Sequence, residues 1–234
     1  AYGRGRFGEL IFSSIRMGSG MPRELADLSF ARFLEVRETL GDEGAYDCAH
    51  FDGLALEDPQ VRGVAFSECA VTDSTVTGGM FRYSRFTDVW LRGTRWIRTD
   101  LSETNWMDVE FVMAALSGVE AFGATLRRVS FHNCKFDSVN LRGATLIDVS
   151  FVDCVLRDVD IMDAKLTGVT FPGSEVTGLM LRNAKLKNVD LREARSIGIG
   201  GGVESLSGAT VTNMQLLELA PVFAQAFGIV VKDR

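Results

Sequence analysis

A large apolar residue stands at nearly every fifth position from Val61 to Leu191. The series begins Val61, Phe66, Val71, Val76, Phe81, Phe86, Leu91, Trp96, Leu101 and Trp106, and it breaks only at Ala121. A helix repeats its apolar face about every 3.6 residues and a strand about every 2, so this period fits neither. The chain must turn a corner in each pentad and send one anchor inward each time. That makes the fold a solenoid, a single elongated body whose coils contact only their neighbours.

Each pentad reads small or branched, polar, large apolar, polar, turn-former, as in Ala144-Thr145-Leu146-Ile147-Asp148 and Val149-Ser150-Phe151-Val152-Asp153. The last position is Gly, Asp or Asn in nineteen of the twenty-seven pentads from Val61 to Glu193. Those residues best tolerate the left-handed backbone that such frequent corners demand. The pattern resembles the pentapeptide-repeat family, whose consensus is approximately Ala-Asp/Asn-Leu-x-x, over about 130 to 160 residues. The resemblance implies an all-β fold, a right-handed quadrilateral β-helix with four pentads and about twenty residues per coil. A second sign of twenty is internal. Phe111, Phe131, Phe151 and Phe171 share that spacing and are expected to stack as one core ladder, while the positions two before each anchor alternate small and branched from Ala124 to Val169. Coils about 4.8 Å apart give a rod on the order of 35 Å long.

Around this body the sequence divides further. Residues 1–20 share no register with the rest and end in Gly-Ser-Gly before Met21, as an added leader would; the rival reading is a native arm whose LIFSSI run pairs as a strand. Residues 21–45 form an N-terminal cap, where Leu25, Leu28, Phe33, Val36 and Leu40 predict a short helix closing the first coil. The β-helix occupies 46–211, and the glycines from Gly198 to Gly202 read as a flexible exit from it. Residues 212–234 hold a C-terminal helix capped by Thr212 or Asn213, interrupted at Pro221 and ended at Gly228. Its apolar residues exceed what one cap face needs. Leu216, Leu217, Leu219, Val222, Phe223 and Phe227 are the expected interface of a homodimer.

Chemistry is sparse. His50 and His132 stand alone, the four cysteines form no CxxC pair, and no cofactor or metal is expected. Cys134 and Cys154, in register twenty apart, read as stacked reduced thiols. Asp148, Asp153, Asp158 and Asp163 fall at successive corners and point in four directions, so they are turn-formers and not a paired-carboxylate site. Ten acids oppose three bases over 21–60, whereas 61–195 balance at seventeen each, in bands expected to pair across coils. Such a chain is no direct nucleic-acid binder, and nothing in it approaches a membrane span. A soluble, cytoplasmic protein without catalytic activity is expected. At the break, either Phe122 rotates inward to replace the anchor missing at Ala121, or an apolar patch forms there.

The quinolone-resistance members of the family bind DNA gyrase and topoisomerase IV as mimics of duplex DNA, and pair through their C-terminal ends. Resemblance to them implies gyrase binding and quinolone protection, against which stands the neutral repeat. The alternative is a protein-interaction scaffold with a different partner.

Overall fold

The computed structural model describes residues 20–41 and 44–232; the leader reading of residues 1–20 therefore falls almost wholly outside the described residues. The chain winds as a β-solenoid of about eight turns. Short parallel strands stack in register every twenty residues, pairing Asn105 with Thr125 and Thr125 with Thr145, and Arg95 with Ala115 and Ala115 with Lys135.

Four anchor columns line the interior. The first face carries Tyr46, Phe66, Phe86 and Trp106, then Leu126 to Leu186; the second carries Phe51, Val71 and Leu91, then Phe111 to Phe171. The third runs from Leu56 through Trp96 and Phe136 to Ile197, and the fourth from Val61 through Leu101 and Ala121 to Leu181. Every fifth residue from Cys48 to Asn188 has a positive φ, whether Gly, Asp, Asn or another type. On the fourth face the pentad closes as a turn, with Ala124 N–H donating to the Ala121 carbonyl at 3.2 Å and Ala144 N–H to that of Leu141 at 3.1 Å.

Two aromatic columns divide the rod. In the second face Phe111, Phe131, Phe151 and Phe171 stack with centroids 4.8, 5.1 and 5.1 Å apart. In the first face Tyr46, Phe66, Phe86 and Trp106 stack at 5.4, 4.8 and 3.7 Å. Trp106 meets Phe111 at 5.4 Å, so the ring stack passes from one face to the next in mid-rod. Each such pair adds roughly 0.5–1.5 kcal/mol beyond burial.

The small residues two before each anchor also have a polar task. Cys154 N–H donates to Ser174 Oγ at 2.8 Å, and Ser174 Oγ donates to the Phe151 carbonyl at 2.8 Å. Cys134 N–H makes the equivalent contact with Cys154 Sγ at 3.4 Å, and that thiol reaches the Phe131 carbonyl. These side chains satisfy backbone groups at the corners, which explains Ser and Cys inside an apolar tube. The hydrogen bond with Cys134, followed by burial, pushes the Cys154 thiol far up, and burial pushes that of Cys69 to about 11.

Both ends depart from expectation. The N-terminal cap is not a helix: two 3₁₀ turns, Leu25–Asp27 and Ala31–Phe33, lead to a strand Glu35–Arg37 that pairs with Ala49–Asp52 as an added rung. Its apolar residues serve two targets. Leu28 and Phe30 pack on the outside of the tube while Leu40 packs against the core inside, and one straight helix cannot do both. The glycines after Arg195 form a rung too, Ser196–Gly201, lying on Glu175–Met180. A Cβ at Gly200 would sit 3.0 Å from the Gly178 carbonyl oxygen and 3.1 Å from Met180 Sδ, so glycine here serves close stacking rather than flexibility.

The C-terminal helix α1 spans Asn213–Ala226 and passes through Pro221 without interruption. Contacts with the core on both sides, by Leu219 before and Val222 and Phe223 after, offset the hydrogen bond lost at the ring. Thr212 and Gln215 form a capping box, and the Gln215 side-chain amide donates to the Leu191 carbonyl at 2.8 Å, fastening the helix to the last coil. Gly228 ends it in a Schellman motif, with Ile229 N–H donating to the Ala224 carbonyl at 2.7 Å.

Phe122 does not replace the missing anchor; it is 51% exposed, its ring over Gly143 of the next coil. It stands in the turn that the Ala124 N–H to Ala121 carbonyl bond closes, which carries its side chain outward. Beside Ala121 an apolar cavity of about 30 Å³ remains, lined by Leu101, Trp106, Leu126, Phe131 and Leu141 among others. Leu101 and Leu141 are the column neighbours of Ala121, so leucine suits the space. Ala121→Leu is expected to raise the urea-unfolding free energy by about 1 kcal/mol, and a loss of stability would show that the column is already full.

Candidate interaction surfaces

The outer surface follows from the corners. At five of them an Asp lies under the Gly of the next coil: Asp58 under Gly78, Asp73 under Gly93, Asp148 under Gly168, Asp153 under Gly173, and Asp158 under Gly178. Each carboxylate oxygen occupies the space that a Cβ would need, between 1.9 and 2.7 Å from its ideal position. These acids thus build corners. Charges also pair across coils, Arg82 with Asp100 at 2.5 Å, Arg128 with Asp108 at 2.5 Å and Arg142 with Asp160 at 3.0 Å. Exposed pairs like these add little stability, but they mix the signs on the surface.

Among the described residues no face is negative along its length. The fourth carries Asp100, Glu120 and Asp160 in one column and Arg62, Arg82, Arg142 and Arg182 in the next. Arg85, Arg127, Lys165, Lys185 and Lys187 lie across the first, with Glu68, Asp88, Asp108 and Asp148 along its edge. At that edge burial, followed by the charges of Asp108 and Glu68, holds the Asp88 carboxyl above its usual range.

The groups that carry chemistry are scattered. His50 Nε2 lies 2.9 Å from Thr72 Oγ1, and His132 Nε2 lies 3.8 Å from Glu110 Oε1 several coils away. Asp47, Cys48 and Glu68 bring their ligand atoms within 4.8 Å of one another. Burial, a hydrogen bond from the thiol to Glu68 and the surrounding carboxylates raise the Cys48 pKa.

Two surfaces are built for contact. At the C-terminal end, Gln215, Leu219 and Ala224 of α1 are buried, and Val222 and Phe223 are half-buried against the core. Leu219 therefore caps its own coil and is not available to a partner. Leu216, Leu217 (69% exposed) and Phe227 (66% exposed) point outward, continued by Ile229, Val230 and Val231. The second surface was not legible from the pentad pattern. Trp90 and Val112, at outward positions of the second face, are buried under Leu28 and Phe30 in a cluster separate from the interior core. Beside them Arg23 donates twice to Glu110, from its backbone N at 2.8 Å and its Nε at 2.6 Å, and Glu24 pairs with Arg92.

A quadrilateral stack of pentads with left-handed corners and no assembled catalytic group among the described residues defines the class: a β-helical repeat protein with contact surfaces at one end and on one face. Residues 104–181 match the family model described as pentapeptide repeat region. No protein of curated function matches the chain. Among solved structures it is similar to full-length QnrB1, a plasmid-mediated fluoroquinolone resistance protein, at 15% identity over 77% of this chain and 99% of that one, with a TM-score of 0.40. Rfr23 from the cyanobacterium Cyanothece 51142 aligns at 16% identity over 55% of this chain and 89% of that one, TM-score 0.40. HetL from Nostoc sp. strain PCC 7120, involved in heterocyst differentiation regulation, aligns at 16% identity over 72% and 90%, TM-score 0.28. Likenesses of this degree say nothing about a shared partner. No helix among the described residues is long and apolar enough to cross a membrane.

Asp88 gives a test of the surface electrostatics. Its folded-state pKa lies above 3.8, so its contribution favours folding at pH values below that and is lost as pH rises through the folded pKa. Asp88→Asn keeps a residue suited to the positive φ and is expected to raise the melting temperature at pH 7, the gain vanishing below about pH 3.8. A gain that persists in acid would assign it to something other than charge.

Proposed function

We propose that this chain is a non-enzymatic interaction protein, a rigid rod that pairs with a second copy through α1 and presents its flat faces to another protein. The observation that carries the reading is the outward stripe of α1. Leu216, Leu217, Ala220 and Phe227 are exposed where Gln215 and Leu219 are buried, and they leave an apolar surface open to water at the end of the rod. A two-fold axis through such a stripe buries it twice over. Of the six residues expected at this interface, the exposure of Leu216, Leu217 and Phe227 supports the reading, while Val222 and Phe223 are half-buried and Leu219 is buried. Four free thiols, three of them buried, suit a reducing compartment such as the cytoplasm.

DNA gyrase or topoisomerase IV, engaged by mimicry of duplex DNA to protect against quinolones, requires a face that is negative along its length. The mixed columns described above do not supply one, so a protein partner of other chemistry is the preferred reading. Purified protein at micromolar concentration is expected to leave gyrase supercoiling and its quinolone sensitivity unchanged; inhibition or protection would restore the mimic. For the pairing, light scattering of the intact protein should give twice the chain mass, and Leu217→Asp should halve it without altering the far-ultraviolet circular dichroism. A wild-type chain that is already monomeric would overturn it.

A further inference from the structure

Residues 21–34 lie against the second face as a strap, and the way they are held is unlike anything else in the fold. Their backbone-to-backbone hydrogen bonds are internal, Asp27 N–H to the Glu24 carbonyl at 2.9 Å, Ala31 to Leu28 at 3.0 Å and Phe33 to Phe30 at 2.8 Å. Among the described residues, the first backbone-to-backbone bond to the coils comes only at Glu35 N–H, which donates to the Cys48 carbonyl at 2.8 Å. Side-chain contacts and one backbone N–H, that of Arg23 to the Glu110 carboxylate, fasten the strap. Arg23 clamps Glu110, which is 5% exposed and backed by His132, Glu24 pairs with Arg92, and Leu28 and Phe30 cover Ala70, Trp90 and Val112.

Two observations separate this contact from the architecture. The strap and the residues beneath it form their own apolar cluster, while the interior core is closed by its own anchors without them. Trp90 is 1% exposed, yet its indole N–H has no acceptor among the described residues. A buried, unsatisfied donor costs about 1–3 kcal/mol, so the strap fills this surface imperfectly. An extended peptide that placed a carbonyl against Trp90 would satisfy what the strap leaves open.

We propose that residues 21–34 act as an internal pseudo-ligand, and that the surface under them is a docking site for an extended peptide of a partner protein with the same chemistry. That peptide carries an arginine for Glu110 and, five and seven residues further on, two large apolar side chains for Trp90 and Val112, the spacing of Arg23, Leu28 and Phe30. Short 3₁₀ turns without ladder bonds belong to the least stable part of a fold, and local opening there exposes the site without unwinding a coil. The site lies on a side face and does not use α1, so it stands or falls independently of the pairing through that helix.

The test uses the full chain and a fluorescein-labelled synthetic peptide of residues 20–34. Leu28→Ala with Phe30→Ala loosens the strap and leaves Glu110, Arg92 and Trp90 in place. By fluorescence anisotropy the loosened protein is expected to bind the peptide at least ten-fold more tightly than the wild type. Adding Glu110→Gln should remove at least ten-fold of that gain, and tryptophan emission should shift to the blue as the peptide covers Trp90. Equal binding to wild-type and loosened protein, or indifference to Glu110→Gln, overturns the proposal. So does loss of the cooperative thermal transition in the loosened protein, because the strap would then be part of the framework. The unaltered protein gives a second reading by hydrogen exchange. The Leu28, Ala31 and Phe33 amides should exchange at least a hundred-fold faster than those of Val109, Val129 and Val149, and comparable rates would count against a strap that opens on its own.

Discussion

The whole molecule depends on a left-handed corner repeated at every fifth residue. For an L-residue that conformation costs roughly 1–2 kcal/mol unless glycine, asparagine or aspartate occupies it. The chain answers with those residues at most corners and, at five of them, alternates Asp and Gly on successive coils so that a carboxylate fills the space over the glycine. Once the corners are fixed the anchors have nowhere to point but inward. Ring stacking and parallel ladder bonds then follow from the common spacing between coils.

The same constraint decides where function can lie. Among the described residues four anchors fill each coil, and the interior cavities beside Ala121 and between Leu40 and Trp96 are small and apolar. Catalysis would need side chains brought together from different directions, and outward-facing residues on flat walls diverge. What remains are the ends and the walls. At the C-terminal end Gln215 ties α1 to the carbonyls of the last coil and turns an apolar stripe to solvent. On the second wall a length of chain lies outside the ladder, held through Glu110, Arg92 and Trp90.

The repeat body was legible because its signal is summed over many pentads: the corners, the inward anchors and the twenty-residue coil are all visible in residue spacing. The first-face rings Tyr46, Phe66, Phe86 and Trp106 carry the same spacing and could have been read from it. What was obscured depends on single residues. Leu28 looks like part of one side of a cap helix, and Phe30 falls outside that pattern, until Trp90 and Val112, large apolar residues at outward positions, are seen as their targets. Pro221 reads as a helix end because local propensity says so, and tertiary contacts on both sides of it prevail. Gly198–Gly202 reads as a flexible exit, yet close stacking on Met180 requires the glycines within a rung. The outward stripe of α1 was visible as surplus hydrophobicity, but the division between Leu219 facing the core and Leu217 facing water needed the helix to be placed.

Excising one coil asks most directly whether the backbone counts in fives and closes every twenty residues. Removal of residues 125–144 brings Thr145 into the place of Thr125 and keeps every anchor inward. Removal of 125–142, nearly the same length, puts each later anchor two residues out of step, so that Leu146 falls at the corner of Arg128 in place of an inward position. The first variant is expected to unfold in one cooperative thermal transition within several degrees of the intact chain, and the second to show none. Equal behaviour of the two would contradict the winding on which the rest is built.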